Sequence, residues 1–282
     1  MEYRQFGRAK VKVSAIGMGT YYDVISIATS RLFGLQRGRE EKVAALRKGI
    51  ELGINLIDTA EIYGTEPLVA EAVKGYKRDE FFIATKVSPN HLRYDDVLKA
   101  AQGSLQKLQS GYIDLYQVHW PNRRVPIEET MRAMEKLVDD GKIRYLGVSN
   151  FSLSQMRDAE EALSKHELAS NQVEYSLKAR DVEADLLPYC ERSGVAILAY
   201  RPVAHGALAN PSGRLREVMD DISREHGGKT PAQIALNWLL NKGKVVFPIP
   251  RASRPERVME NAGAVDWSLN VEDVRRLEAS TY

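Results

Sequence analysis

The chain has 282 residues, of which 44% are hydrophobic and 28% are charged, and this composition excludes a disordered protein. Its 40 Lys and Arg residues nearly balance 38 Asp and Glu residues, giving a net charge of +2 with both signs interspersed. Because so small a net charge creates only a weak electrostatic field, the chain is not expected to bind nucleic acid or an acidic membrane surface.

A hairpin and eight strands are predicted in chain order, because short apolar runs alternate with longer amphipathic segments. The hairpin comprises residues 2–6 and 10–13, with Gly7 at its turn, and it is suited to closing the bottom of a barrel. The strands are predicted at residues 14–18, 54–57, 81–85, 113–118, 143–148, 169–173, 195–199 and 245–247.

Amphipathic helices are predicted between these strands and after the last one. In the first helix, residues 39–52, Val43, Leu46 and Ile50 share one face, and Gly53 is suited to end it. The others are predicted at residues 67–73, 94–108, 127–138, 153–163, 184–192, 215–225, 231–240, 255–262 and 271–277.

The alternating series predicts an α/β fold, a (β/α)8 TIM barrel with an N-terminal β-hairpin and an extra C-terminal helix. No repeat or long linker interrupts it, so residues 1–282 are expected to form one domain. An open doubly wound sheet is the alternative. Residues 21–38 lack periodicity, and such long loops often carry function, so this loop is either a substrate lid or packing at the barrel edge.

The single cysteine, Cys190, excludes a disulfide within the chain and suggests a reducing compartment. Residues 1–8 lack the apolar core of a signal peptide, and no stretch reaches the ~18 uninterrupted apolar residues of a membrane span. A cytoplasmic protein is therefore expected. Cys190 acting as a lone nucleophile is an open alternative.

Polar residues stand at six consecutive predicted strand ends, which is where a (β/α)8 barrel builds its active site. Each has a plain structural explanation when taken alone, such as a helix cap or a core histidine. Their repetition once per βα unit instead predicts that they converge. They are Asp58, Lys86, His119, Ser149, Asn150, Gln172 and Tyr200.

These residue types suit proton transfer to an oxygen. The phenol of Tyr63 is a weak acid, and a nearby Lys86 ammonium would ease loss of its proton. Asp58 would keep the buried lysine charged, and a neutral His119 would hold the substrate oxygen. The sequence thus predicts a catalytic set of Asp58, Tyr63, Lys86 and His119.

Six parts of the chain resemble the aldo-keto reductase family: residues 53–64, 85–87, 116–121, 141–151, 171–175 and 249–261. The resemblance covers essentially the whole chain in order. It implies an NADP(H)-dependent barrel enzyme that reduces aldehydes or ketones without a Rossmann domain. Consistently, the segment 17–22 holds only a fragment of the dinucleotide fingerprint.

The resemblance also implies a role for individual residues. Tyr63 would be the general acid, tuned by Lys86 and Asp58, and His119 would orient the carbonyl. Substrate contacts are implied for Tyr21, Tyr63, His119 and Trp120. Cofactor contacts are implied for Gly19, Thr20, Asp58, Ser149, Asn150, Gln172, Tyr200, Arg201, Arg251, Arg254, Arg257, Glu260 and Asn261.

Within that cofactor set, Ser149, Asn150 and Gln172 would bind the carboxamide, and Tyr200 would stack on the nicotinamide. The arginines at 251, 254 and 257 stand where family members grip the adenosine phosphate, beside Glu260 and Asn261 at the adenine. Three guanidinium groups within seven residues match a 2′-phosphate, so NADP(H) is favoured over NAD(H).

Three features depart from the family pattern. Arg201 follows Tyr200 where a serine is common, and Arg251 and Ala252 replace a frequent Lys-Ser pair. The chain ends at Tyr282, soon after its last predicted helix, which implies a more open substrate pocket.

Two other functions are open. Relatives with this fold serve as cofactor-binding subunits of channels with little turnover. A metal-dependent hydrolase would need ligands at strand ends, where only one of the five histidines, His119, stands, so no metal is expected. The substrate depends on loops 21–38, 120–126 and 201–214, so aldehydes, ketones, dicarbonyls and sugar aldehydes are all admissible. No extra interface element is evident, so a monomer is expected.

Overall fold

The computed structural model describes residues 1–22 and 38–281. The loop at 21–38 that the sequence identifies as a lid or an edge segment falls almost wholly outside the described residues. Within the described part, every helix is too short or too polar to cross a membrane.

The N-terminal hairpin closes the bottom of the molecule, as predicted. Its antiparallel strands are β1 (Tyr3–Gln5) and β2 (Lys12–Ser14). Gly7 lies between them at φ 53°, where a Cβ atom would come within 2.4 Å of the Gly194 carbonyl oxygen. The buried Phe6 ring lies 4.7 Å from Phe82 and 5.2 Å from Phe247 between ring centroids, and so plugs the barrel from below.

Eight parallel strands pair in chain order to form the barrel. They are β3 (Met18–Gly19), β4 (Leu56–Asp58), β5 (Phe82–Val87), β6 (Ile113–Val118), β7 (Ile143–Ser149), β8 (Leu168–Glu174), β9 (Ala196–Tyr200) and β10 (Val246–Pro248).

The first and last strands join, which closes the barrel and shows that the open-sheet alternative is wrong. The Gly17 amide donates to the Pro248 carbonyl at 2.9 Å, and Gly19 donates to Pro250 at 3.1 Å. Gly19 also forms a parallel bridge with Arg251. A Cβ atom at Gly19 would lie 2.9 Å from the Ile249 oxygen, so this seam requires a glycine.

One predicted boundary is wrong. The segment 14–18 was expected to be one barrel strand, but Ser14 belongs to the hairpin and the barrel strand begins at Met18. The reason is a tertiary contact, since the Ser14 amide donates to the Asn55 side chain at 2.7 Å and its hydroxyl accepts from the Asn55 amide at 3.1 Å.

Helices surround the strands. They are α1 (Arg39–Glu51), α2 (Glu66–Ala72), α3 (Tyr94–Leu108), α4 (Ile127–Asp139), α5 (Leu153–Glu161), α6 (Leu186–Ser193), α7 (Gly213–Glu225), α8 (Pro231–Asn241), α9 (Pro255–Ala262) and α10 (Val271–Ala279). Side-chain capping boxes begin α5, α8 and α10 at Ser152, Thr230 and Asn270. The last helix follows the eighth βα unit and is the predicted addition.

Along β4 and β5 the barrel interior changes from apolar to polar, because alternate residues face inward. Phe82 and Ala84 belong to the apolar cluster inside the barrel, and the next alternate position on β5 is the buried Lys86. On β4, Leu56 is likewise followed by Asp58. This alternation places polar side chains at the carboxyl ends of the strands, directly below the mouth of the barrel.

Candidate active site

A buried ion pair occupies the centre of the site. The Lys86 ammonium lies 2.7 Å from Asp58 Oδ2, and the two side chains are 0% and 4% exposed. Lys86 also donates to the Thr59 carbonyl at 2.8 Å, and Gln172 donates its amide to Asp58 Oδ1 at 2.8 Å. Both charges are therefore hydrogen-bonded, which a buried pair requires.

Tyr63 and His119 meet beside this pair. Tyr63 ends a short 3₁₀ helix, Glu61–Tyr63, and its hydroxyl lies 3.2 Å from His119 Nε2. The Lys86 ammonium lies 4.9 Å from the centre of the Tyr63 ring. The four predicted catalytic side chains thus come together around one small volume, although they are spread over 62 positions of sequence, from 58 to 119.

Burial governs the protonation of this group. It raises the pKa of Asp58 and lowers the pKa of Lys86, and their mutual attraction opposes both shifts. Burial, with the nearby Asp58 charge, also holds the pKa of Tyr63 well above its ordinary value. Burial and the Lys86 charge lower the pKa of His119 to about 2. The site thus presents a protonated phenol beside a neutral imidazole.

We expect the pH profile of the reaction to carry no limb from His119 between pH 5 and 8, since its pKa lies near 2. Because the folded pKa is lower than the unfolded value of about 6.5, His119 costs stability as pH falls from about 6.5 toward 2. Profiles of kcat for wild type, His119→Gln and His91→Gln test this. A limb near pH 6.5 that His119→Gln removes and His91→Gln keeps would show that His119 titrates in that range.

The predicted carboxamide-binding residues lie together above the ion pair. Ser149 donates to the Gln172 carbonyl at 3.0 Å, and the Asn150 amide donates to Ser149 Oγ at 3.0 Å and to the His119 carbonyl at 2.9 Å. Tyr200 donates its hydroxyl to Asn150 Oδ1 at 2.8 Å, which fixes its half-buried ring at the rim. Their roles toward a cofactor stay predictions.

The two remaining N-terminal cofactor candidates lie in the barrel seam. Gly19 forms the barrel closure described above. Thr20 is buried, and its hydroxyl donates to the Asp58 carbonyl at 3.0 Å and lies 2.8 Å from Thr65 Oγ1. The Thr20 side chain therefore supports the strand that carries Asp58.

The predicted arginines differ in their partners. Arg254 pairs with Glu41 at 3.2 Å, and Arg257 pairs with Glu260 at 2.5 Å. Glu260, which is predicted to contact the adenine, thus forms an ion pair with an arginine. Arg251 is exposed, and no carboxylate within residues 1–22 and 38–281 lies within 4.0 Å of its guanidinium. The predicted adenine contact Asn261 borders a small apolar cavity with Ala252 and Val258.

Two exposed aromatic residues that the sequence predicts as substrate contacts lie beside Tyr63 and His119, and their role toward a substrate stays a prediction. The Tyr21 ring meets Tyr63 edge to face at 5.2 Å, and Trp120 stacks on the imidazole of His119 at 3.8 Å with 14° between the planes. Both side chains are more than a third exposed. They form an apolar border around the point where Tyr63 and His119 meet.

Sequence reasoning missed three supporting residues. Glu61, in the turn that carries Tyr63, accepts from the Ser88 amide at 2.8 Å and lies 2.7 Å from His91 Nδ1. Thr65 joins Thr20 to Thr59. Glu174 pairs with Arg201. Strand periodicity could have identified Glu174 from the sequence, because it lies two positions after Gln172 and therefore on the same face of the strand.

The other chemistries considered find little support at this site. In the part of the chain that the structure describes, no three His, Cys, Asp or Glu side chains are grouped to hold a metal ion. Cys190 is buried in α6, and burial raises the pKa of its thiol to about 12. A thiol held in that state is a poor nucleophile.

Comparisons with known proteins agree with this geometry. A model of the Aldo/keto reductase family matches residues 25–281. Methylglyoxal reductase YeaE of Escherichia coli (strain K12) is 37% identical over 273 residues, covering 95% of this chain and 91% of that protein. Glyoxal reductase of Bacillus subtilis (strain 168) is 36% identical over 252 residues, covering 88% and 86%. A crystal structure of aldo/keto reductase from Klebsiella pneumoniae in complex with NADP and acetate has a TM-score of 0.84 at 35% identity, covering 99% of this chain and 95% of that one.

Proposed function

This chain belongs to the aldo/keto reductase family, and from that membership we propose that it reduces small aldehydes and ketones to alcohols with NADPH. The observation that carries the proposal is the 3.2 Å approach of the Tyr63 hydroxyl to His119 Nε2, beside the buried Lys86–Asp58 pair. A carbonyl oxygen at this point can be contacted by both groups.

The residues of the chain supply the proton and the electrostatic field. Tyr63 is protonated at neutral pH, and burial raises its pKa further, so its proton can pass to a carbonyl oxygen only as negative charge develops there. The Lys86 ammonium stabilises the phenolate that remains, and neutral His119 orients the oxygen. Asp58 keeps the ammonium in place. The nicotinamide, when bound, supplies the hydride.

The rim residues fit such a cofactor. Tyr200 offers a half-buried ring held by Asn150, and Ser149 and Asn150 add hydroxyl and amide groups within the same cluster. The side-chain nitrogen of Gln172 already donates to Asp58, which leaves the side-chain oxygen Oε1 as an acceptor for a ligand. The exposed Arg251 adds a cation suited to a phosphate. Solved relatives in complex with NADP and with NADPH support the same choice.

We expect Arg251→Ala to weaken the binding of NADPH by about tenfold or more, because a charged hydrogen bond to the 2′-phosphate is lost. The binding of NADH should weaken much less. Fluorescence titration of the two cofactors measures this. Arg257→Ala is the matched control, and its effect should be smaller because Arg257 pairs with Glu260. Equal losses of affinity for NADPH and for NADH in Arg251→Ala would contradict the assignment of Arg251 to the 2′-phosphate.

Small dicarbonyl compounds are the substrates we propose to test first. Relatives at 37% and 36% identity are named for the reduction of methylglyoxal and glyoxal. The aromatic border of Tyr21 and Trp120 suits a compact, weakly polar molecule. This border lies next to Tyr63 and His119, so a small carbonyl compound that packs against it would reach both groups.

The experiment is a panel of methylglyoxal, glyoxal and a simple aldehyde, each assayed with NADPH and with NADH, with the alcohol product identified by NMR. Many NADPH molecules should be oxidised per protein molecule. Oxidation that stops at one equivalent with every carbonyl would instead favour the alternative of a cofactor-binding regulatory subunit.

Three further predictions stand as proposals. Residues 1–282 form one domain, as the uninterrupted βα series suggests. The protein is a monomer, and it works in the cytoplasm, as its single cysteine suggests. Size-exclusion chromatography with light scattering tests the second of these.

A further inference from the structure

Glu61 has no part in the mechanism above, although it stands two positions before Tyr63. It begins the short 3₁₀ helix Glu61–Tyr63, and its side chain is only 15% exposed. Its Oε2 accepts from the Ser88 backbone amide at 2.8 Å, and its Oε1 lies 2.7 Å from His91 Nδ1. Both carboxylate oxygens are therefore bound to the segment 88–91, which directly follows β5.

The Glu61 contact joins the two parts of the chain that carry the phenol and the ammonium. Glu61 stands two positions before Tyr63, and Ser88 stands two positions after Lys86. The Lys86 ammonium joins the same two parts nearer the base of the turn, where it donates to the Thr59 carbonyl at 2.8 Å. Of these two contacts, the one from Glu61 lies nearer to Tyr63 along the chain.

Thr65 attaches the other side of this turn, two positions after Tyr63. Its Oγ1 lies 2.9 Å from Thr59 Oγ1 and 2.8 Å from Thr20 Oγ1. Tyr63 is thus held between two attachments. The one made by Glu61 is the one that reaches the segment after Lys86.

The segment 88–91 also contacts the part of the chain that carries His119. The Asn122 side-chain amide donates to the Pro89 carbonyl at 2.8 Å, and the His119 backbone amide donates to the Val87 carbonyl at 3.2 Å. The segment therefore lies between the turn of Tyr63 and the loop after β6. Through it, Glu61 couples the position of the phenol to the elements that carry the ammonium and the imidazole.

Proton donation depends on these positions. The Tyr63 hydroxyl lies 3.2 Å from His119 Nε2, and the centre of its ring lies 4.9 Å from the Lys86 ammonium. The three residues belong to separate elements, so hydrogen bonds between the elements set these distances. A displacement of about 1 Å at a reacting group can cost about 10²-fold in rate.

We propose that Glu61 is a positioning residue, whose two hydrogen bonds hold the Tyr63 phenol at the distance from Lys86 and His119 that proton donation requires. This inference rests on the proposed reductase function. Glu61 acts on the reaction only through Tyr63, so its effect should vanish when the phenol hydroxyl is absent. Because Ser88 and His91 need an acceptor at a fixed reach, the length of the side chain matters more than its charge.

A double-mutant cycle of Glu61→Ala and Tyr63→Phe tests this. The measured quantity is the single-turnover rate constant of NADPH oxidation, recorded by stopped flow with the carbonyl compound of the panel that wild type reduces fastest. A single turnover excludes product release from the rate. With Tyr63 present, Glu61→Ala should lower this constant about tenfold. In Tyr63→Phe the same substitution should change it by less than about twofold, because residues that act as a unit are not additive.

Two further variants separate the length of the side chain from its charge. Glu61→Gln keeps the length and an acceptor oxygen, and it should keep most of the rate. Glu61→Asp keeps the charge but withdraws the carboxylate from Ser88, so it should lose part of the rate when Tyr63 is present and none in Tyr63→Phe. The same comparison with Glu61→Asp decides the question if Glu61→Ala does not fold.

Glu135→Ala is the matched control for a carboxylate that anchors a loop. Glu135 lies on α4 and accepts from the backbone amides of Ser164 and Lys165 at 2.9 and 2.6 Å, in the loop that precedes β8. This loop stands at the amino ends of the strands, away from the site. The control should lower the melting temperature and leave the single-turnover rate unchanged.

An equal loss of rate in the two backgrounds would overturn the inference, because Glu61 would then act by a route other than the phenol. A wild-type rate in Glu61→Ala would overturn it as well. Both outcomes leave the proposed function standing as long as wild type completes many turnovers. Failure of the wild-type protein to reduce any carbonyl compound would overturn both.

Discussion

Replacing Tyr63 with phenylalanine should lower kcat for carbonyl reduction by at least ~10²-fold, the usual contribution of a positioned general acid. The ring stays, so its edge contacts with Tyr21 at 5.2 Å and with His119 at 5.3 Å are kept. Only the hydroxyl that faces His119 is lost. We therefore expect the melting temperature and the NADPH dissociation constant to change little, and both are measured beside kcat.

Tyr76→Phe is the matched control for this variant. It removes a hydroxyl from an exposed ring that packs against Phe81, outside the catalytic set and the predicted substrate contacts, and should keep the turnover. Wild-type turnover in Tyr63→Phe would show that another group donates the proton.

Replacing Lys86 with methionine should reduce both stability and turnover. The substitution leaves the Asp58 carboxylate buried without its cation, and breaking a buried pair in this way typically costs ~3–5 kcal/mol. Turnover should fall as well, because the phenolate of Tyr63 loses the ammonium beside it. Chemical denaturation and steady-state kinetics measure the two effects.

The pH dependence of this destabilisation provides a check. Without Lys86, burial raises the pKa of Asp58 further, and a group with a raised folded pKa stabilises the protein only while it is protonated. The stability deficit of Lys86→Met should therefore shrink as pH falls toward the ordinary Asp value of about 3.9. The double variant Asp58→Asn, Lys86→Met should recover stability but not turnover. A deficit that is independent of pH would contradict the buried-charge explanation.

The sequence predicted the barrel and the convergence of Asp58, Lys86 and His119 because both follow from local periodicity, whereas the catalytic roles of these residues and of Tyr63 stay predictions. Strands with alternate residues inward, separated by helices, place every strand end at one rim. Asp58 and Lys86 lie on the inward face, each two positions beyond an apolar inward residue, so convergence required no knowledge of distant contacts.

The parts that the sequence did not predict depend on neighbours far apart in the chain. Among the predicted phosphate-binding arginines, Arg254 pairs with Glu41 and Arg257 pairs with Glu260, and these partners are brought there by helix packing. In the part of the chain that the structure describes, Arg251 has no carboxylate within 4.0 Å. The donation from Gln172 to Asp58 joins residues 114 positions apart. The boundary at Ser14 likewise depends on Asn55.

The most direct test of the account is the number of NADPH molecules oxidised per protein molecule with excess methylglyoxal, measured at 340 nm for wild type and Tyr63→Phe side by side. Wild type should complete many cycles at a steady rate, while Tyr63→Phe should be slower by two orders of magnitude or more, as about 10² in rate depends on the phenol proton. Equal rates in the two proteins, or a single cycle in wild type, would contradict the claim that this phenol drives catalytic carbonyl reduction.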